Sequence, residues 1–149
     1  MAHPHPRRIL IVDDETHILH VLSLKLRNAG YEVLTAMDGE EGLDVAIRER
    51  PDAIITDYQM PYMTGLELCK ALERDDRGSH GGGQSGLADI PVMMLTARGY
   101  ALDSQDVALK NIRVVVSKPF SPRAIVEQIR QMLNGETVNT QQCSQSEAA

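Results

Sequence analysis

The chain has 149 residues, 24% of them charged and 42% hydrophobic, with a formal net charge of −6. A chain of this length forms one domain that buries about 70% of its unfolded surface, so no disulfide or structural metal is needed to hold a core. The acidic balance, without a sustained stripe of Lys and Arg, argues against nucleic acid as a partner. No apolar run is long enough for a membrane span or a signal peptide, and Cys69 and Cys143 share no disulfide or metal spacing. The expected compartment is the cytoplasm, with no membrane partner.

In chain order, residues 1–7 read as a flexible terminus. Arg8 to Val12 is a β-branched run that stops at Asp13-Asp14-Glu15, the pattern of a buried strand delivering acids at its C-terminal end. From Thr16 to Ala29, Ile18, Leu19, Leu22 and Leu26 recur at steps of three and four, which marks one buried helical face, and Gly30 suits the cap. Tyr31 to Ala36 alternates as a second strand. Asp38-Gly39 then opens a helix through Leu43, Ala46 and Ile47 that ends before Pro51. Ala53 to Thr56 is the third strand, and Asp57 follows it into the turn Tyr58-Gln59-Met60-Pro61. Its carboxylate is expected to be exposed at the strand's end, on a rigid support.

Gly65 precedes a third helix carrying Leu66, Leu68, Cys69 and Leu72. Residues 74–89 read as a flexible Gly/Ser-rich insertion that lacks the Gly-Lys-Ser/Thr ending of a phosphate-cradling loop. A fourth strand over Val92 to Leu95, a helix over Leu102 to Lys110, a fifth strand over Val114 to Val116 and a last helix from Pro122 to Leu133 complete the domain, 8–133. Residues 134–149 read as a disordered polar tail with no output domain after the last helix.

Alternating strands and helices demand an α/β fold, a parallel sheet covered on both faces. In a doubly wound sheet of order 2-1-3-4-5, ligands bind beyond the carboxyl ends of the strands where the order reverses, between strands one and three. Asp13 and Asp14 then face Asp57. Like charges so close cannot all stay ionised unaided, and an oxygen-rich acidic cluster suits a hard cation such as Mg²⁺. Strands four and five deliver Thr96 and Lys118 to the same crevice. A hydroxyl and an ammonium beside a metal-loaded carboxylate favour the anionic oxygens of an entering phosphoryl group, with Asp57 as nucleophile and acceptor. Each residue alone could merely cap a strand; five at four strand ends point to function.

Jointly the pattern resembles the receiver domain of two-component response regulators, over Arg8 to Leu133. It is carried by Asp13-Asp14, by Asp57 with Met60-Pro61 and Gly65, by Thr96-Ala97 and by Lys118-Pro119-Phe120. The resemblance implies a flavodoxin-like (βα)5 three-layer sandwich. It implies phosphoryl transfer to Asp57 from the phosphohistidine of a sensor histidine kinase or phosphotransfer protein. It further implies Mg²⁺ held directly by Asp14, Asp57 and the backbone carbonyl of Gln59, with Asp13 acting through water. Thr96 and Lys118 would contact the phosphoryl oxygens, Lys118-Pro119 would be cis, and small Ala97 would leave a path to the acid. Gln59 and Arg98 occupy positions that, in this family, influence acyl-phosphate lifetime.

By the same resemblance the chain is a stand-alone signalling phosphoacceptor, not an enzyme, assisting only its own phosphoryl transfer and loss. Phosphorylation would draw Thr96 and Lys118 inward and bias the face from strand four to the last helix, which a downstream protein reads. Three features depart from the family. Val115 stands where an aromatic residue is usual, the stretch 109–113 lacks the common Gly-Ala turn, and the Gly/Ser loop lengthens the segment before strand four. A phosphorylation-independent interaction module of the same fold is the alternative that Val115 favours. An aspartyl-nucleophile phosphohydrolase would carry a second acid where Gln59 stands, and a flavin's phosphate would be repelled by Asp13-Asp14-Glu15.

Overall fold

The first strand, β1 (Arg8–Val12), divides the core in two. Ile9 and Ile11 enter one apolar layer while Leu10 and Val12 enter the other, as the period-two pleat requires. In the computed structural model, which describes residues 6–74, 86–97 and 109–134, eight further elements surround this strand. They are α1 (Thr16–Asn28), β2 (Glu32–Ala36), α2 (Gly39–Glu49), β3 (Ala53–Asp57), α3 (Gly65–Arg74), β4 (Val92–Thr96), β5 (Ile112–Ser117) and α4 (Pro122–Leu133), with a short 3-10 turn at Leu87–Asp89.

All strand pairs are parallel, in the order β2-β1-β3-β4-β5. One face is covered by α1 and α4 through Leu19, Leu22, Leu26, Ile125 and Ile129. The other is covered by α2 and α3 through Val45, Ala46, Leu68, Cys69 and Leu72. The result is the doubly wound, flavodoxin-like three-layer α/β sandwich expected from the sequence. Buried on both sides, the inner strands read as continuous apolar runs.

The starts of α2, α3 and α4 are fixed by local side-chain hydrogen bonds at the same end of the sheet. Asp38 Oδ1 accepts the Glu41 N–H at 2.8 Å, and Ser121 Oγ accepts the Ala124 N–H at 3.5 Å with Pro122 in the first helical turn. Thr64 Oγ1 accepts the Glu67 N–H at 3.1 Å while Glu67 Oε1 accepts the Thr64 N–H at 2.9 Å. That reciprocal capping box satisfies two donors that would otherwise lack partners, and so sets where the loop after β3 ends.

Several boundaries differ from the sequence expectation. Both β3 and β4 run one residue further, taking in Asp57 and Thr96, and β2 begins at Glu32. At Ile112–Ser117, β5 is twice the expected length because Val92 N–H bonds Asn111 O at 2.7 Å and a register shift between Val92 and Met93 absorbs the extra residue. Exposed Arg113 at that shift hides the strand from a search for apolar runs.

The expected flexible stretch 74–89 is structured at both borders. Arg74 ends α3, and Leu87, 1% exposed, packs into the α2–α3 layer, because a leucine gains more buried than in a polar loop. Residues 75–85 lie outside the described residues. So does most of the expected helix Leu102–Lys110, of which Leu109 and Lys110 fall in a turn. There the Asn111 side chain donates to Cys69 O at 2.9 Å in place of a Gly-Ala turn. Within 1–7, Arg7 is tied down: its Nη1 donates to Leu133 O at 2.9 Å. Among the described residues no helix is long and apolar enough to cross a membrane.

Candidate functional site

Pairing of Val12 with Thr56 puts the ends of β1 and β3 side by side. The next residues along are Asp13 and Asp14 on one side and Asp57 on the other. One carboxylate oxygen from each of the three lies within 4.8 Å of the others. Beyond β3, Asp57 pairs with Leu95, Thr96 pairs with Ser117, and Lys118 N–H donates to Thr96 O at 2.8 Å. The backbone thereby carries Lys118 back toward the acids. Its Nζ lies 3.3 Å from Asp57 Oδ1 and 4.0 Å from both Asp13 Oδ2 and Glu15 Oε1.

The sequence expectation of an exposed Asp57 is corrected: it is 5% exposed, and Asp13 is fully buried. As the last residue of β3, Asp57 is flanked by β4 and by the acids after β1. It is also closed over by the loop that follows: Tyr58 N–H bonds Leu95 O at 2.7 Å and Gly65 N–H bonds Tyr58 O at 2.8 Å. A Cβ on residue 65 would fall 2.3 Å from Asp57 O, so only glycine lets α3 begin this close. Of the three acids, Asp14 is the exposed one.

Burial disfavours charge here. It pushes the Asp57 carboxyl above the ordinary aspartate range, against the pull of Lys118, with Asp14 adding to the rise. Burial likewise raises Asp13 to about 6; the Glu15 N–H, 2.9 Å from Asp13 Oδ1, opposes the shift and Asp57 reinforces it. Asp13 Oδ2 is buried with no hydrogen-bond partner. One lysine thus serves three carboxylates, and an acceptor oxygen inside the cluster is left unsatisfied. A hard divalent cation with oxygen ligands fits such a donor set.

The other expected residues are placed as follows. Thr96 is 2% exposed at the end of β4, and Ala97 after it is exposed. Gln59 is exposed, two residues past Asp57. Half-buried Val115 packs with the α2–α3 layer, and Arg98 lies outside the described residues. The Lys118–Pro119 bond is cis. Glu15 was not singled out as a site residue, yet it stands as near to Lys118 as Asp13 does; its place in the Asp13-Asp14-Glu15 run was the available sign. Beside the crevice, on the α1–α4 face, a groove of about 310 Å³ is lined by Ile18, Val21, Pro119 and Phe120 among others.

Comparison with known proteins identifies the family of the domain. A family model for the response regulator receiver domain matches residues 9–130. The alkaline phosphatase synthesis transcriptional regulatory protein PhoP of Bacillus subtilis is 35% identical over 127 residues, covering 85% of this chain and 48% of that protein. The DNA-binding dual master transcriptional regulator RpaA of a Synechocystis strain is 36% identical over 126 residues, with 85% and 48% covered. The chain thus spans about half the length of the curated relatives it matches. The expectation of no nucleic-acid partner therefore concerns the charge of this chain alone.

Among solved structures, the chemotaxis response regulator CheY4 of Vibrio cholerae superimposes with a TM-score of 0.70 at 33% identity, covering 85% of this chain and 98% of that one. A CheY-like receiver domain protein of Methanospirillum hungatei gives 0.71 at 27% identity, covering 87% and 95%.

Proposed function

The chain belongs to the family of response regulator receiver domains, and on that premise we propose that Asp57 accepts a phosphoryl group from the phosphohistidine of a sensor histidine kinase or phosphotransfer protein, in a Mg²⁺-dependent reaction. The observation that carries this proposal is the approach of Lys118 Nζ to 3.3 Å from Asp57 Oδ1 within a cluster of three carboxylates. A carboxylate oxygen of Asp57 attacks phosphorus, the P–N bond breaks with its electron pair returning to the imidazole, and an acyl phosphate remains.

Asp14, Asp57 and the Gln59 carbonyl would hold Mg²⁺, with Asp13 acting through water. When bound, the ion offsets the charge of the acids and of the entering phosphoryl oxygens. Lys118 favours the ionised form of Asp57 that can attack, against the effect of burial, and afterwards would contact a phosphoryl oxygen. Thr96 supplies a hydroxyl to the same group, and Ala97 leaves the approach open. Gln59 offers no carboxyl group to protonate the leaving group of an external phosphoester, so the domain assists only its own phosphoryl transfer and loss.

Movement of Thr96 and Lys118 toward the phosphoryl group would shift the face from β4 to α4 between two packings. Its reader is a downstream protein, or a further domain in a longer chain like the transcriptional regulators it is similar to. A phosphorylation-independent interaction module is the second possibility, favoured by Val115 at the position of the usual aromatic switch.

Incubation with Mg²⁺ and acetyl phosphate separates the two. Intact mass and a phosphate-affinity gel should show one added phosphoryl group on the wild type and none on Asp57→Asn. An unmodified wild type under these conditions would sink the proposal.

A further inference from the structure

Tyr62 lies in the loop between β3 and α3, five residues past Asp57. It is 89% exposed and its backbone stands at φ 71. Met63 N–H donates to Pro61 O at 2.8 Å, which closes a three-residue turn around Tyr62 in the strained hand of the γ-turn. A bulky residue at positive φ is an outlier, whereas glycine or asparagine would adopt the turn readily. Folding returns nothing for this strain, because the ring is buried against nothing. Nor is the loop free to relax: the Tyr58–Leu95 and Gly65–Tyr58 backbone bonds pin its two ends, and Met60 between them is buried.

The same turn meets a neighbouring loop. A Cβ on Gly39 would fall 2.7 Å from Met63 Cβ and 2.8 Å from Met63 O, so the start of α2 lies against the backbone next to Tyr62. Just before that start, Met37 is 45% exposed. Two exposed apolar side chains therefore stand on two touching loops at the carboxyl end of the sheet, on the α2–α3 face. Glu40, Glu41 and Glu67 are exposed on or beside these loops, Glu41 and Glu67 accepting the Met37 and Thr64 N–H groups, and Asp14 and Glu15 are exposed at the same end of the sheet. Lys118, the one lysine at this end among the described residues, is engaged by Asp57.

We propose that Tyr62, with Met37, is the docking anchor for the phosphodonor protein, which meets it with an apolar patch rimmed by Lys and Arg. Rigid aromatic side chains dominate contact energy because little freedom is lost on binding, and the acidic surround steers a basic partner into register. The assignment rests on Asp57 being the phosphoacceptor, and it names the surface by which a protein donor, as opposed to a small one, reaches that residue.

The test compares two donors. Acetyl phosphate needs no docking surface, whereas autophosphorylated histidine kinase cores from the source organism do; each is assayed with the wild type, and the fastest is carried forward. Tyr62→Gly should slow transfer from that kinase about tenfold or more, leave uptake from acetyl phosphate within about twofold, and raise Tm by about 3 °C as the turn relaxes. Tyr62→Phe should retain kinase transfer, and added salt should slow it.

Equal kinase transfer to wild type and Tyr62→Gly would overturn the proposal, as would an equal loss from both donors. Weakened self-association of Tyr62→Gly in sedimentation, with kinase transfer intact, would assign the surface to a second copy and overturn it as well. If the wild type takes phosphoryl groups from acetyl phosphate but from no kinase, the partner assignment fails. If it takes none from either, the role of Asp57 fails first.

Discussion

At the N-terminal end of the sheet, Arg8 reaches Glu49 and Glu32 with its guanidinium and Asp52 with its backbone N–H, whereas at the C-terminal end Asp13, Glu15 and Asp57 share Lys118 while Asp14 crowds the same cluster. The residue types are alike and their arrangement is opposite. Around Arg8, Nη1 donates to Glu49 O at 2.9 Å, Nη2 pairs with Glu49 Oε1, and the Arg8 N–H donates to Asp52 Oδ2 at 2.8 Å. Opposite charges alternate there, and they tie β1 to the end of α2 and the start of β3. In the crevice, like charges crowd, burial raises Asp13 and Asp57, and Asp13 Oδ2 has no partner. One cluster ties elements of the fold together; the other crowds like charges at a cost in stability, the arrangement expected of a group of residues placed to bind or react.

The sharpest way to break this contrast is to remove Lys118, the one cation that pairs with these acids among the described residues. Lys118→Ala leaves buried carboxylates uncompensated and should cost about 3 kcal/mol in metal-free buffer, by urea unfolding. Phosphoryl uptake from acetyl phosphate should fall about 100-fold in the same variant, and added Mg²⁺ should recover part of the stability. Gly65→Ala attacks the crevice from its backbone side. With a Cβ 2.3 Å from Asp57 O, α3 must retreat, at a cost of about 2–3 kcal/mol.

A pH series sharpens the comparison further. Asp13 rises from 3.8 to about 6, so the folded state binds its proton more tightly than the unfolded chain. The stability this contributes is fully present below the unfolded value and is lost as the pH rises through about 6. In metal-free buffer the wild type should lose about 1–1.5 kcal/mol between pH 5 and 8 relative to Asp13→Asn, measured by urea unfolding at each pH. The smallest effect belongs to the other end. Arg8→Ala should cost about 1 kcal/mol, since its ion pairs are partly exposed, while uptake from acetyl phosphate stays within about twofold of wild type.

How much of this was legible in the sequence depended on the range of the interaction that carries it. The Ile- and Val-rich strands and the stripe of Ile18, Leu19, Leu22 and Leu26 are local patterns, and counting the βα alternation gave a parallel sheet covered on both faces, while the order 2-1-3-4-5 was one of the common doubly wound arrangements and came with the family resemblance. Asp13, Asp14, Asp57, Thr96 and Lys118 were legible because strand ends are, and the sheet order brings those ends together. The burial of Asp57 was not legible, because it depends on Gly65 closing on the strand from outside it. The Arg8 clamp was hidden for the same reason, its partners lying 41 and 44 residues away.

Two features had local signs. Thr64 followed three residues later by Glu67 is a capping-box pattern, and Leu87 is a lone apolar residue in a polar loop. The strain at Tyr62 had none, since nothing in a tyrosine announces a positive φ.

The most direct test of the division between the two clusters locates the phosphoryl group itself. After Mg²⁺ and acetyl phosphate, borohydride reduces an acyl phosphate to the corresponding alcohol, converting a phosphorylated aspartate to homoserine, which peptide mass mapping can place. Homoserine is expected at position 57 in the wild type and in Arg8→Ala, and none in Asp57→Asn. Homoserine at Asp13, Asp14 or Asp52 in place of Asp57, or its absence from the wild type, would contradict it.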